Sequence, residues 1–243
     1  ICVSDVDKDK PVFSAIPNAV QKMTNTQVKF RNIITTKNNA IIAATSAGLA
    51  VYNIGLPVKR LQQGKGIMLH QKEAGRPSSL GSTLLKMVMQ TTDGRIYICT
   101  QDKGIDLLTS DNIFAETLTF RHYNTASGFP SNYPKSITEI DGTLWVTALN
   151  TLIEWHPDKP LPTGASTKLF IKGSDFAECS PVRRADGTWI CGVLDGLIAM
   201  DMKYLGEIGA GQQASRLPIV ITSTVDSDTI CLGKNERTLS LSF

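Results

Sequence analysis

Four stretches of this chain repeat one alternation of polar and apolar positions. A polar pair is followed by an apolar run, a few small residues, and a second apolar run opening on glycine and leucine or their equivalents. The copies occupy residues 38–53, 93–109, 141–155 and 186–201. Their polar pairs are Asn38-Asn39, Asp93-Gly94, Asp141-Gly142 and Asp186-Gly187. Asx-Gly and Asn-Asn pairs accept the positive φ that two-residue hairpin turns demand. The apolar runs are Ile41-Ile42-Ala43, Ile96-Tyr97-Ile98, Leu144-Trp145-Val146 and Trp189-Ile190-Cys191. They are short and rich in β-branched and aromatic residues, which predicts strands. The second runs open at Gly48-Leu49, Gly104-Ile105, Thr151-Leu152 and Gly196-Leu197, the third copy having lost its glycine. A further strand precedes each turn, at 30–35, 84–89, 135–140 and 180–184, and fainter outer strands fall at 117–123 and 168–171. Helical periodicity is weak. Residues 13–23 have room for a turn or two of helix, interrupted by Pro17.

The turns stand 55, 48 and 45 residues apart. Four short strands and their turns need about 40 to 50 residues, the period of a propeller blade. One such sheet cannot bury both of its faces alone, whereas blades stacked radially bury each face against a neighbour. The predicted fold is therefore all-β: a partial β-propeller of about four to five four-stranded blades from a ring of about seven. Residues 1–24 are expected to hold the remnant of a preceding blade or a linker, with Val12-Phe13 as a strand edge, and residues 25–215 the blades. The small residues Thr45, Thr100, Ala148 and Val193 suit a crowded hub. An open arc exposes a strand edge and an apolar face, which invites a homodimer.

Composition narrows the classes. The hydrophobic fraction of 42% supports a packed core. Net charge is +3, from 25 basic and 22 acidic residues spread along the chain, which does not point to nucleic acid. No apolar run approaches 18 residues, so a membrane enters the picture only through a parent protein. The chain opens on Ile1-Cys2-Val3 without a methionine, which reads as a mature or trimmed segment. The five cysteines are Cys2, Cys99, Cys179, Cys191 and Cys231, with no CxxC pair to indicate zinc. Cys99 and Cys191 lie inside apolar strands and are expected to be small buried hydrophobes.

The stretch DGTLWVTALNTLIEW at 141–155 resembles the two-component regulator propeller repeat, and the turn Gly128-Phe129-Pro130-Ser131-Asn132 is similar to that family's inter-blade turn. The likeness runs from residue 26 to about 202; the first and fourth copies carry Ile42 and Ile190 where the family has tryptophan. Residues 216–243 look like the opening strands of the immunoglobulin-like domain that follows such propellers, cut after about two strands of the seven or so that such a sandwich needs. The resemblance implies a periplasmic, ligand-sensing module of a hybrid two-component sensor. An inner-membrane parent would pass an oligosaccharide signal to a cytoplasmic histidine kinase. It implies no catalysis in this segment, no cofactor and no metal.

The residues themselves carry few catalytic signals. Glu139 with Asp141, and Asp186 with Asp195, are carboxylates at hairpin turns, where local backbone claims them more often than glycan chemistry does. His70, His122 and His156 are scattered without ligand spacing, and His122 is expected on a solvated face. Gly64-Lys65-Gly66 and the glycines of 206–211 lack phosphate-loop context and read as connections. The remaining candidates are ligand contacts on loops at one mouth of the blades: Asn132, Tyr133, Lys135, Leu149 and Asn150, with Arg31, Lys86 and Glu178 near neighbouring entries. Tyr133 suits stacking on a sugar ring, and Asn132 and Lys135 suit hydroxyls. Two competing readings remain: a scaffold for protein interaction or dimerisation, and a glycan-active propeller enzyme.

Overall fold

A computed structural model of the chain describes residues 19–201 together with three short strands, Cys2–Ser4, Phe13–Ala15 and Val220–Thr222. The chain divides into two compact units, Ile1–Tyr123 and Asn124–Phe243. Each predicted copy becomes the middle of one four-stranded antiparallel sheet, in which the strands follow one another in chain order.

In the first unit, β1 (Cys2–Ser4) pairs with β2 (Phe13–Ala15). The helix α1 (Ala19–Thr24) follows, starting just after Pro17, where the helical run was expected to break. The first blade is β3 (Phe30–Thr35), β4 (Ala40–Thr45), β5 (Gly48–Asn53) and β6 (Ile67–His70), with α2 (Val58–Gln62) set into the β5–β6 connection behind Pro57. The second blade is β7 (Leu85–Gln90), β8 (Ile96–Thr100), β9 (Ile105–Leu108) and β10 (Phe120–Tyr123). First strands meet: β3 lies against β7, and the Val88 amide donates to Asn32 Oδ1 at 3.0 Å.

Alternation along β4 explains how the first blade serves two cores. Successive strand residues face opposite ways. Ile42 and Ala44 pack with Leu49, Val51, Leu85, Val88, Ile98 and Phe120 in the core shared by the two blades. Ala43 faces the other way and packs with Ala50, Tyr52 and Ile67 beneath Val20 of α1 and Leu61 of α2. The two short helices thus cover a sheet face. Burying each such large aliphatic side chain is worth about 1.5–3 kcal/mol. Close approach has its own requirement at Gly48: its φ is +124°, and a Cβ there would sit 2.2 Å from the His70 carbonyl oxygen.

The second unit holds two blades. The third is β11 (Pro134–Ile140), β12 (Thr143–Ala148), β13 (Thr151–Trp155) and β14 (Ala165–Phe170). The fourth is β15 (Val182–Arg183), β16 (Trp189–Val193), β17 (Gly196–Met200) and β18 (Val220–Thr222). Trp145, Leu152 and Leu169 of the third blade pack against Cys191, Ile198 and Met200 of the fourth. The β11–β12 hairpin turns on Asp141 and Gly142, both at left-handed φ (49° and 77°), as a two-residue primed turn requires. The Val220–Thr222 stretch, which the sequence places at the start of a following domain, pairs antiparallel with Leu197–Ala199 as the outer strand of the fourth sheet. The other residues of 216–243, and the glycines of 206–211, lie outside the described residues.

The small residues closing the second strands are buried at Thr45, Thr100 and Ala148 and half-buried at Val193. Two of them also build the turn that follows. The hydroxyls of Thr45 and Thr100 donate to the carbonyls of Gly48 and Gly104, each at 2.7 Å, and accept from the amides of Ala47 and Lys103, each at 3.0 Å. Cys99 and Cys191 are buried hydrophobes as expected, and burial pushes both thiols up, Cys191 to about 12.

Candidate functional site

Antiparallel order puts the start of each first strand beside the end of its second strand. Phe30 pairs with Thr45, Leu85 with Thr100 and Pro134 with Ala148. One end of each of these blades therefore gathers the opening residues of the first strand and the turn between the second and third. Seven of the eight ligand candidates from the sequence lie at such an end of their own blade: Arg31 and Lys86 in the first unit, and Asn132, Tyr133, Lys135, Leu149 and Asn150 in the second, while Glu178 lies in the β14–β15 connection.

In the first unit this end is tied down by main-chain bonds. Lys29 and Ser46 bond reciprocally: the Ser46 amide donates to the Lys29 carbonyl and the Lys29 amide to Ser46 Oγ, both at 2.9 Å. The Gln101 amide makes the equivalent bond to the Leu84 carbonyl at 2.9 Å. Arg31 is exposed and Lys86 half-buried, with its ammonium in electrostatic reach of the Cys99 thiol. Asp102, in the β8–β9 turn, has one buried carboxylate oxygen, Oδ1, without a hydrogen-bond partner among the described residues, while Oδ2 lies 3.8 Å from Lys103 Nζ.

In the second unit the presenting turn is built on a single 3₁₀ turn, Thr125–Ser127. Asn124 and Ser127 cap it reciprocally, and Gly128 ends it at φ 88°, where a left-handed residue is needed. Phe129 then plugs the core edge-on to Trp155, ring centroids 5.1 Å apart. That anchor leaves Ser131, Asn132 and Tyr133 at the surface. Asn132 Oδ1 accepts from the Thr125 amide at 2.9 Å, so its carbonyl serves the turn as well as any ligand. Tyr133 is 48% exposed, and Leu149, at φ 47°, stands in the facing turn next to Asn150. An exposed ring beside a half-buried lysine and an amide is chemistry for holding a polar ligand with one apolar face.

The other candidates behave differently. Asp186 accepts from the Thr188 amide at 2.9 Å, Asp93 bonds Thr91 and Arg95, and Asp195 bonds Ser174. These turn carboxylates do the local work expected of them, and Arg95 and Thr91 hold Asp93 down to about 2. The expectation for His122 is corrected. Its Nδ1 lies 2.6 Å from Oδ1 of the fully buried Asp106, and its Nε2 lies 2.7 Å from the Pro77 carbonyl. Two acceptors, one at each ring nitrogen, favour the imidazolium, and the Asp106 hydrogen bond raises the histidine above its ordinary range. Asp106 Oδ2 accepts from the Gly81 amide at 2.8 Å. His122 and Asp106 thereby hold down the connection between the first two blades, residues 71–84. On the other side of that connection His70 is buried, and desolvation followed by the nearby Arg76 lowers it.

No family model matches the chain, and no curated protein matches it in sequence. Solved structures do. The extracellular domain of BT3049 of B. thetaiotaomicron, classed as a hybrid two-component system, is similar over 87% of this chain and 30% of its own, with TM-score 0.57 and 19% identity. The extracellular domain of the hybrid two-component system BT4673 of the same organism is similar over 83% and 23%, with TM-score 0.56 and 13% identity. A catalytically inactive virginiamycin B lyase from Staphylococcus aureus, solved with quinupristin, is similar over 88% and 72%, with TM-score 0.50 and 14% identity. The chain spans less than a third of the length of the two two-component structures. At these identities the likeness shows the fold, and that fold is the β-propeller, represented here by four blades of four antiparallel strands.

Proposed function

We propose that this chain is a ligand-sensing, non-enzymatic module of a two-component signal transduction protein. It would sit in the periplasm as part of an inner-membrane parent, bind an oligosaccharide, and pass the signal to a cytoplasmic histidine kinase beyond this chain. The observation that carries the reading is the likeness of these blades to extracellular domains of two hybrid two-component systems. Local geometry supports it: the exposed Tyr133 ring, Lys135 and Asn150 stand at one end of the third blade, and Arg31 and Lys86 at the same end of the first two. Asp186 accepts from the Thr188 amide of its own turn and Asp195 from the Ser174 hydroxyl, which speaks against these two as a glycosidase pair.

The test is an oligosaccharide panel read by thermal shift and by product analysis. A ligand bound only to the native state raises its stability. Stabilisation without product is the expected result. Product formation would replace the reading with an enzyme. A second reading, a dimerisation scaffold, draws on Val182 and Leu197, which are exposed on the fourth blade. Self-association with no response to any saccharide would favour it.

A further inference from the structure

The first strand of three successive blades carries the same irregularity at the same place. The register shifts by one residue between Phe30 and Asn32, between Leu85 and Met87, and between Pro134 and Ser136. The extra residue in each case is a cation: Arg31, Lys86 and Lys135. Basic residues fill 25 of 243 positions, so composition does not supply three at three equivalent bulges.

A bulge re-aims one side chain and is over-represented beside binding sites. Here each re-aimed cation has an exposed apolar neighbour within two residues: Phe30 at 39%, Leu84 at 41% and Tyr133 at 48%. In the first unit the two bulges are locked alongside each other, because the bond from the Val88 amide to Asn32 Oδ1 lies immediately after them. Arg31 and Lys86 thus open neighbouring first strands at the same end. Lys135 takes the equivalent place in its own unit.

We propose that the two bulges of the first unit, at Arg31 and Lys86, form an anion-recognition row, and that the ligand is an acidic oligosaccharide. Its carboxylate or sulfate groups would pair with Arg31 and Lys86, and its ring faces would rest on the exposed Phe30 and Leu84. Guanidinium and ammonium groups suit such anions, whereas a neutral glucan offers them only hydroxyls. The proposal rests on the saccharide-sensing reading above and specifies its substrate class.

The experiment is calorimetric titration of the whole chain with four probes: an oligogalacturonate, a sulfated chondroitin tetrasaccharide, neutral cellotetraose and inorganic phosphate. The acidic saccharides are expected to bind, and more weakly as salt is raised. Arg31→Gln and Lys86→Gln are each expected to weaken binding about tenfold, the scale of a lost charge-assisted hydrogen bond. Lys86→Arg should retain affinity, and Lys59→Gln on α2 should leave it unchanged; circular dichroism checks that each variant is folded. Cellotetraose binding without the acidic saccharides would overturn the proposal and leave the sensing reading standing. Binding of no saccharide at all would overturn both. Acidic saccharides binding equally well to Arg31→Gln and Lys86→Gln would move the site off this row. Phosphate binding as tightly as the saccharides would overturn the saccharide class.

Discussion

Replacing His122 by alanine should destabilise the first unit by about 3 kcal/mol. The change deletes the charge-assisted bond to Asp106, a contact of the kind worth about 1.5–3 kcal/mol. It also strands a carboxylate that is fully buried, and removing one partner of a buried pair costs about 3–5 kcal/mol. The upper figure is not reached, because the Gly81 amide still serves Oδ2 and the imidazole is itself a quarter exposed. On a chain of this size the loss corresponds to roughly 6–12 °C in Tm. Far-UV circular dichroism is the appropriate probe, since Trp145, Trp155 and Trp189 all lie in the other unit. The pH profile sharpens the case. His122 is raised in the folded state, so its contribution is complete below the ordinary histidine value of about 6.5 and is lost as pH rises through its folded value. His70 is lowered, so its contribution is complete above about 6.5 and is lost as pH falls. Stability should therefore peak near pH 6.5, and His122→Ala should abolish only the fall on the alkaline side. A loss below about 1 kcal/mol, or an alkaline fall that survives the substitution, would refute the reasoning.

Two glycines should respond to the same change in the same direction but by different amounts. Gly142→Ala meets open space and should cost about 1–2 kcal/mol of left-handed strain, whereas Gly48→Ala drives a Cβ into the His70 carbonyl and should cost at least twice as much in urea denaturation. Leu61→Ala removes the buried foot of α2 and should cost about 2–4 kcal/mol by the same assay. In the native protein a thiol reagent read site by site by mass spectrometry should label the exposed Cys179 and spare Cys99 and Cys191.

The hairpins were legible because their signals are local. Asp141-Gly142 specifies its turn without reference to anything distant, and the apolar runs on either side specify strands. What escaped depends on partners far away in sequence. The bulges at Arg31, Lys86 and Lys135 exist only relative to β4, β8 and β12, so the repeat reveals the equivalence of the three cations but not their irregular backbone. His122 meets Asp106 sixteen residues back and Pro77 forty-five residues back, separations that no spacing rule covers. α2 is five residues long, too short to display a helical period, and only Pro57 hints at where it starts. The likeness of 141–155 to a known repeat pointed to the fold by motif, while the glycine missing from the third copy proved harmless, since Leu149 takes up positive φ in that turn instead.

The connection held down by His122 also has a colloidal role. Its Ser78 carbonyl accepts from the Phe120 amide at 2.8 Å, and its Arg76 guanidinium donates to the Leu118 carbonyl at 3.0 Å. Those groups belong to the outward rim of β10 and to the residues leading into it. A rim of open amides and carbonyls is a template for a foreign strand. With residues 71–84 laid across it, the second blade withholds that template from other chains. A nick within 71–84 would therefore show itself first as aggregation rather than as unfolding.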